Sequence, residues 1–131
     1  MIELNFVVWE FVRLMVELEE TADHGHDTGA YASWRESWQE VDARLTKLGS
    51  SDAEAFANLM MEQTVAVPCG ASGQLSEAIE ALTRVLGNLE QEIKLARRDP
   101  ERKGELEFEH AEIGDLIDRL RGIDRSVLAD S

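Results

Sequence analysis

Three carboxylates on one predicted helix are the side chains of this sequence best placed to do chemistry. The stretch "EHAEIGDLIDRL" places Glu109, Glu112 and Asp115 at successive spacings of three residues, and that spacing lines them along one flank of a helix. Hard divalent cations prefer several oxygen ligands of this kind. The spacing therefore permits a Mg2+ site as an alternative, while the simpler interpretation is the solvated face of an amphipathic helix.

The segment "EIGDLIDRL" resembles the E-x-x-D helix of MazG-type all-α nucleotide pyrophosphohydrolases. The resemblance implies that a preceding helix brings an E-E-x-x-E motif and that the two motifs together hold magnesium on a triphosphate. The helix before this segment offers Glu90 and Glu92, which at i and i+2 point to different faces. The closer match to the first motif, "EETAD" at 19–23, lies far upstream. A metal-dependent pyrophosphohydrolase is therefore the alternative enzyme hypothesis.

Three further groups could bind a metal or act as a nucleophile. Glu107 and His110 form an E-x-x-H pair, but di-iron bundles require a second such pair and matching carboxylates. The loop "DHGHD" at 23–27 holds two histidines without a closed ligand set. Cys69 lies in "PCGASG" between two predicted helices, and residues 63–76 contain no base or cation to activate it. We expect a buried His110, a plain turn around Cys69, and no cofactor.

Glycines, prolines and capping residues divide the chain into about five helices. The first predicted helix runs from about Glu3 to about Asp23. The second begins at Asp27 or Thr28 and ends at Gly49, and the third begins with a capping box from Ser51 to Glu54 and ends at Pro68. The fourth carries an apolar seam from Leu75 to Ala96, and the fifth runs from Asp99 and Pro100 to Gly122. The second and fourth helices each carry one apolar seam. We therefore predict an all-α fold, an antiparallel helical bundle of four to five helices in a single domain over residues 1–131.

The first predicted helix is too apolar to have only one core contact. Beside its main apolar stripe runs a second one that includes Phe6, Trp9 and Val16, so the helix must be covered on more than one side. It is either the central helix or half buried in a homodimer, and these three residues are the predicted partner contacts. Charges such as Glu10 and Arg13 argue against a membrane span or a signal peptide. A single cysteine gives no sign of an oxidising compartment, so we expect a cytoplasmic protein.

The charge of the chain bounds its partners. The formal net charge is −14, with −5 in residues 1–24 and −4 in residues 100–131. Such a field repels the phosphates of nucleic acids and attracts basic surfaces. An acidic surface kept only for solubility would account for the same charge.

We therefore predict a non-enzymatic interaction protein with a basic protein partner, in preference to an enzyme. The predicted acidic face that meets this partner consists of Glu105, Glu109, Glu112 and Asp115. One form of the hypothesis is an inhibitor or nucleic-acid mimic, of the phage or defence type, that acts on a basic nucleic-acid-binding protein. The alternative is an assembly or dimerisation subunit that uses the apolar first helix.

Overall fold

The computed structural model describes residues 2–23 and 29–128. Within these residues the chain is mostly helical and adds a two-stranded antiparallel sheet. The elements in chain order are β1 (Ile2–Val7), α1 (Val8–Asp23), α2 (Gly29–Gly49), α3 (Ala53–Glu62), β2 (Thr64–Cys69), α4 (Ser72–Leu95), α5 (Pro100–Arg121) and a short 3₁₀ turn (Arg125–Val127). The loop histidines of 23–27 and the N-cap predicted at Asp27 or Thr28 lie outside the described residues.

The chain is broadly all-α, as predicted, but two short strands replace parts of the predicted helices. Residues expected at the start of the first helix form β1, and residues expected at the end of the third helix form β2. The strands pair with Leu4 opposite Val67 and Phe6 opposite Val65. Leu4, Phe6 and Val67 are buried while their chain neighbours are more exposed, which is the two-residue period of a sheet with one face on the core.

Pro68 fixes which backbone groups of the sheet point outward. Proline has no N–H to give to a ladder, so Pro68 must stand where its backbone faces away from β1. Its carbonyl oxygen accepts a hydrogen bond of 2.6 Å from the indole Nε1 of Trp34 on α2. Val7 pairs with Thr64 in the same way as Glu3 pairs with Pro68, so its N–H also points away from the partner strand. This N–H donates to the carboxylate of Glu10 at 3.0 Å.

Glu10 also explains why the first helix begins at Val8 rather than at Glu3. With Val7 as the N-cap, Glu10 is the third helical residue, and its side chain reaches back to the N–H of the N-cap as in a capping box. The carboxylate thereby satisfies a donor that belongs neither to the sheet nor to the helix ladder. The change from strand to helix is thus fixed locally.

The helix boundaries confirm part of the prediction. The second helix ends at Gly49, and α5 begins at Pro100 behind the N-cap Asp99, whose carboxylate accepts the Arg102 N–H at 3.2 Å. Gly122 caps its C-terminus. The Ser51 to Glu54 capping box is wrong, because the N-cap of α3 is Asp52, whose side chain accepts the Ala55 N–H. Helix α4 starts at Ser72 and so takes in part of the predicted turn.

A carboxylate of α4 holds the N-terminus of α2. The side chain of Glu77 accepts hydrogen bonds from the backbone N–H of Ala30 at 2.7 Å and of Gly29 at 3.3 Å. A negative charge at this position also interacts favourably with the helix dipole. The two helices are therefore joined by a charged contact between residues 47 and 48 positions apart in sequence.

The buried residues form one hydrophobic cluster with α1 at its centre. Helix α1 packs against α2, α3, α4 and both strands, which confirms that it is covered on more than one side. Phe11, Leu14 and Met15 are fully buried. No helix in the described ranges combines the length and the apolarity that crossing a bilayer requires.

Candidate interaction surface

An apolar groove runs over the side of α1 that the core does not cover. Its first part, about 570 Å³ in volume, lies between α1, α3 and α5. Its second part, about 430 Å³, continues along α1 toward α4 and shares Trp9, Met60 and Glu109 with the first. We define the Trp9 groove by its apolar residues, which are Trp9, Val12, Val16, Met60, Met61 and Phe108.

The apolar side chains of the Trp9 groove are unusually open to solvent. Val16 is 48% exposed, Met61 53% and Phe108 51%. The ring of Phe108 lies 6.5 Å from the ring of Trp9, which forms the more deeply buried floor. Contiguous exposed apolar surface of this kind, with aromatic and methionine side chains, is typical of sites that bind another protein.

Charged residues border the groove on both sides, with carboxylates in the majority. The border consists of Glu17, Glu20, Glu105 and Glu109, with Arg13 and Arg102. Arg13 donates to Glu109 at 2.9 Å, and Arg102 lies 3.6 Å from Glu105. Glu17 pairs with Arg84 at 3.6 Å. The border is therefore acidic overall and partly held in place by ion pairs within the molecule.

The predicted acidic face is only partly brought together. Glu105 and Glu109 line the groove, whereas Glu112 and Asp115 do not. Asp115 is exposed farther along α5, and Glu112 lies close enough to the buried Glu10 to raise its pKa. The face is thus split between the groove and the next two turns of the helix.

The predicted partner contacts of the first helix are also divided. Trp9 and Val16 line the groove, but Phe6 lies on β1 and is buried. The ring of Phe6 packs 5.9 Å from that of Phe11 and 6.4 Å from that of Trp34. In this fold Phe6 is a core residue and has no surface to present to a partner.

Glu109, Glu112 and Asp115, the residues of the alternative Mg2+ site, all lie on α5. In the part of the chain that the structure describes, no three His, Cys, Asp or Glu side chains come together in a way that could hold a metal ion. Glu109 is engaged by Arg13 instead.

The other predicted reactive groups have structural partners. Glu107 lies 3.8 Å from Lys103, and the Nε2 atom of His110 lies 3.3 Å from a carboxylate oxygen of Glu90. His110 is half-buried rather than buried. Each member of the E-x-x-H pair therefore has its own neighbour.

Cys69 ends β2, and its buried side chain contacts the carbonyl oxygen of Ala71 at 3.6 Å. Burial raises the pKa of the Cys69 thiol above its ordinary value, which favours the unreactive protonated form. The turn that follows is held by Gln74, which accepts the Gly70 N–H and donates to Ser33 on α2. The chain thus turns at Gly70 and Ala71, as expected, although β2 precedes the turn.

One carboxylate below the groove is unusual for its burial. Burial raises the pKa of Glu10, while the hydrogen bond from Val7 and the charge of Arg119, 4.0 Å away, act in the opposite direction. Glu112 raises it further. The group ties the start of α1 to α5 and has the geometry of a structural contact.

Sequence reasoning did not find Met60, Met61 and Phe108 as groove residues. Phe108 stands among charged residues in "ELEFEH" and lies outside the apolar seam of its helix. An apolar side chain in such a position is expected to be exposed, and this was the one local signal that Phe108 could contact a partner.

No protein family, curated protein or solved structure significantly matches this chain.

Proposed function

We propose that this protein is a non-enzymatic interaction protein whose Trp9 groove binds a basic, amphipathic helical segment of a protein partner. The observation that carries the proposal is a continuous groove with half-exposed Val16, Met61 and Phe108 and a border rich in carboxylates. The proposal includes the antiparallel arrangement of the helices, because residues 96–99 alone connect α4 to α5 and the two helices pack side by side.

The shape and chemistry of the groove support a helical occupant. Helix-binding grooves take apolar anchors at spacings of three, four and seven residues, and the two joined parts of the groove offer positions for more than one anchor. The side chains of Met60 and Met61 are flexible and polarizable, so they can adapt to the anchors they meet.

The border of the groove supports a basic occupant. The four carboxylates of the border outnumber its two arginines, so lysine and arginine side chains that flank the anchors would meet a border of net negative charge. The net charge of −14 also speeds the approach of a cationic segment. The hypothesis of an inhibitor that occupies a basic nucleic-acid-binding protein is one form of this proposal.

The test uses a synthetic helical peptide with leucines at i, i+4 and i+7 and lysines beside them, titrated by calorimetry. Val16→Lys removes apolar surface and places a cation in the groove, so we expect binding at least about tenfold weaker. Raising the salt concentration from about 0.05 to about 0.5 M should also weaken binding to the unchanged protein.

The chain offers a matched control. Val127 lies on the 3₁₀ turn, is 52% exposed, and does not line the groove, so Val127→Lys makes the same change of charge at equal exposure. Unchanged binding by Val127→Lys is expected. Equal loss in both variants, or equal binding of a peptide in which glutamates replace the lysines, would refute the proposed function.

A further inference from the structure

The end of the molecule at the connection of α4 and α5 has a charge opposite to that of the rest. Five of the 13 lysines and arginines of the chain fall in the ten residues 94–103. We define the basic tip as Lys94, Leu95, Arg97 and Arg98. Two shallow hollows, of about 510 and 380 Å³, lie beside these residues.

The basic tip presents an apolar side chain surrounded by cations. Leu95, the last residue of α4, is 86% exposed, which is more than any other large apolar residue in the described ranges. Lys94, Arg97 and Arg98 are exposed, and none of them forms an ion pair within the part of the chain that the structure describes. Asp99, whose carboxylate caps α5, and Glu101 leave residues 94–103 with a formal charge of +3, from five cations and two carboxylates.

These features are the counterpart of the Trp9 groove. The groove has an apolar floor and a border of carboxylates, while the tip has an apolar projection and a border of cations. Arg102 lines both the groove and a hollow next to Leu95, so the two surfaces are neighbours on one molecule. Neighbouring complementary patches allow two copies to exchange contacts about a two-fold axis.

We propose that a second copy of this chain docks its basic tip into the Trp9 groove, with Leu95 against Met61 and Phe108 and the tip cations beside Glu105, whose side chain is 61% exposed and lies 3.6 Å from Arg102. This inference rests on the proposed function, because it names the tip as one segment of the kind the groove binds. A nucleic acid is a poorer occupant of the tip, since the net charge of −14 repels phosphates and a duplex offers no apolar site for Leu95.

The experiment measures solution mass by sedimentation as the full chain is raised from about 1 μM to about 1 mM, the range of weak to moderate affinities. We expect a shift from monomer to dimer. Leu95→Gln removes the apolar projection from an exposed position, and Met61→Lys places a cation where Leu95 would dock, at nearly the same exposure as the control Val127. Each should raise the concentration needed for association at least tenfold, whereas Val127→Lys should not.

Mixing the variants identifies which surfaces meet. The Leu95→Gln chain keeps an intact groove and the Met61→Lys chain keeps an intact tip, so an equimolar mixture can form one good contact. We expect association in the mixture at concentrations where neither variant associates alone. Dimers that form without this complementation, for example by pairing two grooves, would overturn the inference.

Two other results separate this inference from the proposed function. If the wild-type chain stays monomeric while the basic peptide still binds, the self-association is wrong and the proposed function stands. If neither occurs, both are wrong. A monomer whose tip captures vesicles of phosphatidylserine and phosphatidylcholine, with capture lost in Leu95→Gln, would also overturn the inference, because the tip would then serve a lipid surface.

Discussion

Replacing Trp34 with phenylalanine tests how the sheet is fastened to the helices. Trp34 is fully buried on α2, and its indole N–H is the donor to the outward carbonyl of Pro68 at 2.6 Å. Phenylalanine keeps an aromatic ring beside Phe6 but has no donor. The Pro68 carbonyl would then lose its indole donor, and because Pro68 is exposed and the bond is partly buried, the loss is that of one ordinary hydrogen bond, about 0.5–1.5 kcal/mol.

The smaller ring adds a second loss. Phenylalanine leaves part of the Trp34 site empty, and a void of this kind costs about 1 kcal/mol or more when the surroundings relax incompletely. We therefore expect Trp34→Phe to lower the free energy of unfolding by about 1.5–3 kcal/mol. The assay is urea denaturation followed by far-ultraviolet circular dichroism, which does not depend on tryptophan fluorescence.

Trp38→Phe is the matched control. Trp38 lies one helical turn later, is partly exposed, and packs its ring edge-on to Phe11 at 6.4 Å. The same chemical change there should cost less than about 1 kcal/mol, since no buried hydrogen bond is lost. Equal destabilisation by the two substitutions would show that the Trp34 to Pro68 bond does not fasten β2 as described.

Three further substitutions test contacts that set the frame of the groove. Glu77→Gln should lower the stability by about 1 kcal/mol, because the amide keeps one acceptor for Ala30 but loses the charge at the N-terminus of α2; this loss, measured by urea denaturation, should shrink in high salt. Because the pKa of Glu10 in the folded protein is raised above 4.5, the contribution of Glu10 to stability falls as the pH rises through that folded value. Glu10→Gln keeps an acceptor for the Val7 N–H and cannot ionise. The thermal midpoint of this variant at pH 7 should therefore equal or exceed that of wild type and depend less on pH. Gly114→Ala should add about 0.5–1 kcal/mol, since a methyl group there meets nothing within 4 Å inside α5; an unchanged or lower denaturation midpoint would contradict the open space.

Helix boundaries that depend on local chemistry could be predicted from the sequence. Asp99, Pro100 and Gly122 act through their own backbone and side-chain preferences, and they bound α5 as expected. The seam of α4 was likewise readable, because its buried residues repeat with the helical period. These signals hold whatever the helix packs against.

The strands could not be predicted in the same way. Ile2–Val7 is nearly continuous with the apolar pattern of α1, and two apolar stripes on one helix look much like a strand followed by a helix. The segment Thr64–Cys69 contains Pro68. Without knowledge of β1 as a pairing partner, a proline at this position predicts the end of a helix rather than a strand. Only the pairing of residues about sixty positions apart gives either segment its structure.

The groove depends even more on tertiary structure. Trp9, Met60 and Phe108 come from three helices, and no sequence spacing relates them. Trp9 and Val16 could be proposed as partner contacts because α1 was too apolar, and Glu105 and Glu109 because α5 was acidic. Their meeting in one surface follows from the packing of α1 against α3 and beside α5.

The pairing of β1 with β2 has a consequence for how the chain reaches its native state. In sequence, α1, α2 and α3 lie between β1 and β2, so pairing the two strands closes a long loop of chain. Helices α4 and α5, in contrast, meet across a short connection. Contacts between distant segments are slow to form because closing the loop costs chain entropy in advance. We therefore expect the α4–α5 hairpin to form early and the pairing of β1 with β2 to form late. During synthesis, β1 would leave the ribosome before β2 is made about sixty residues later, and it would stay unpaired during that interval.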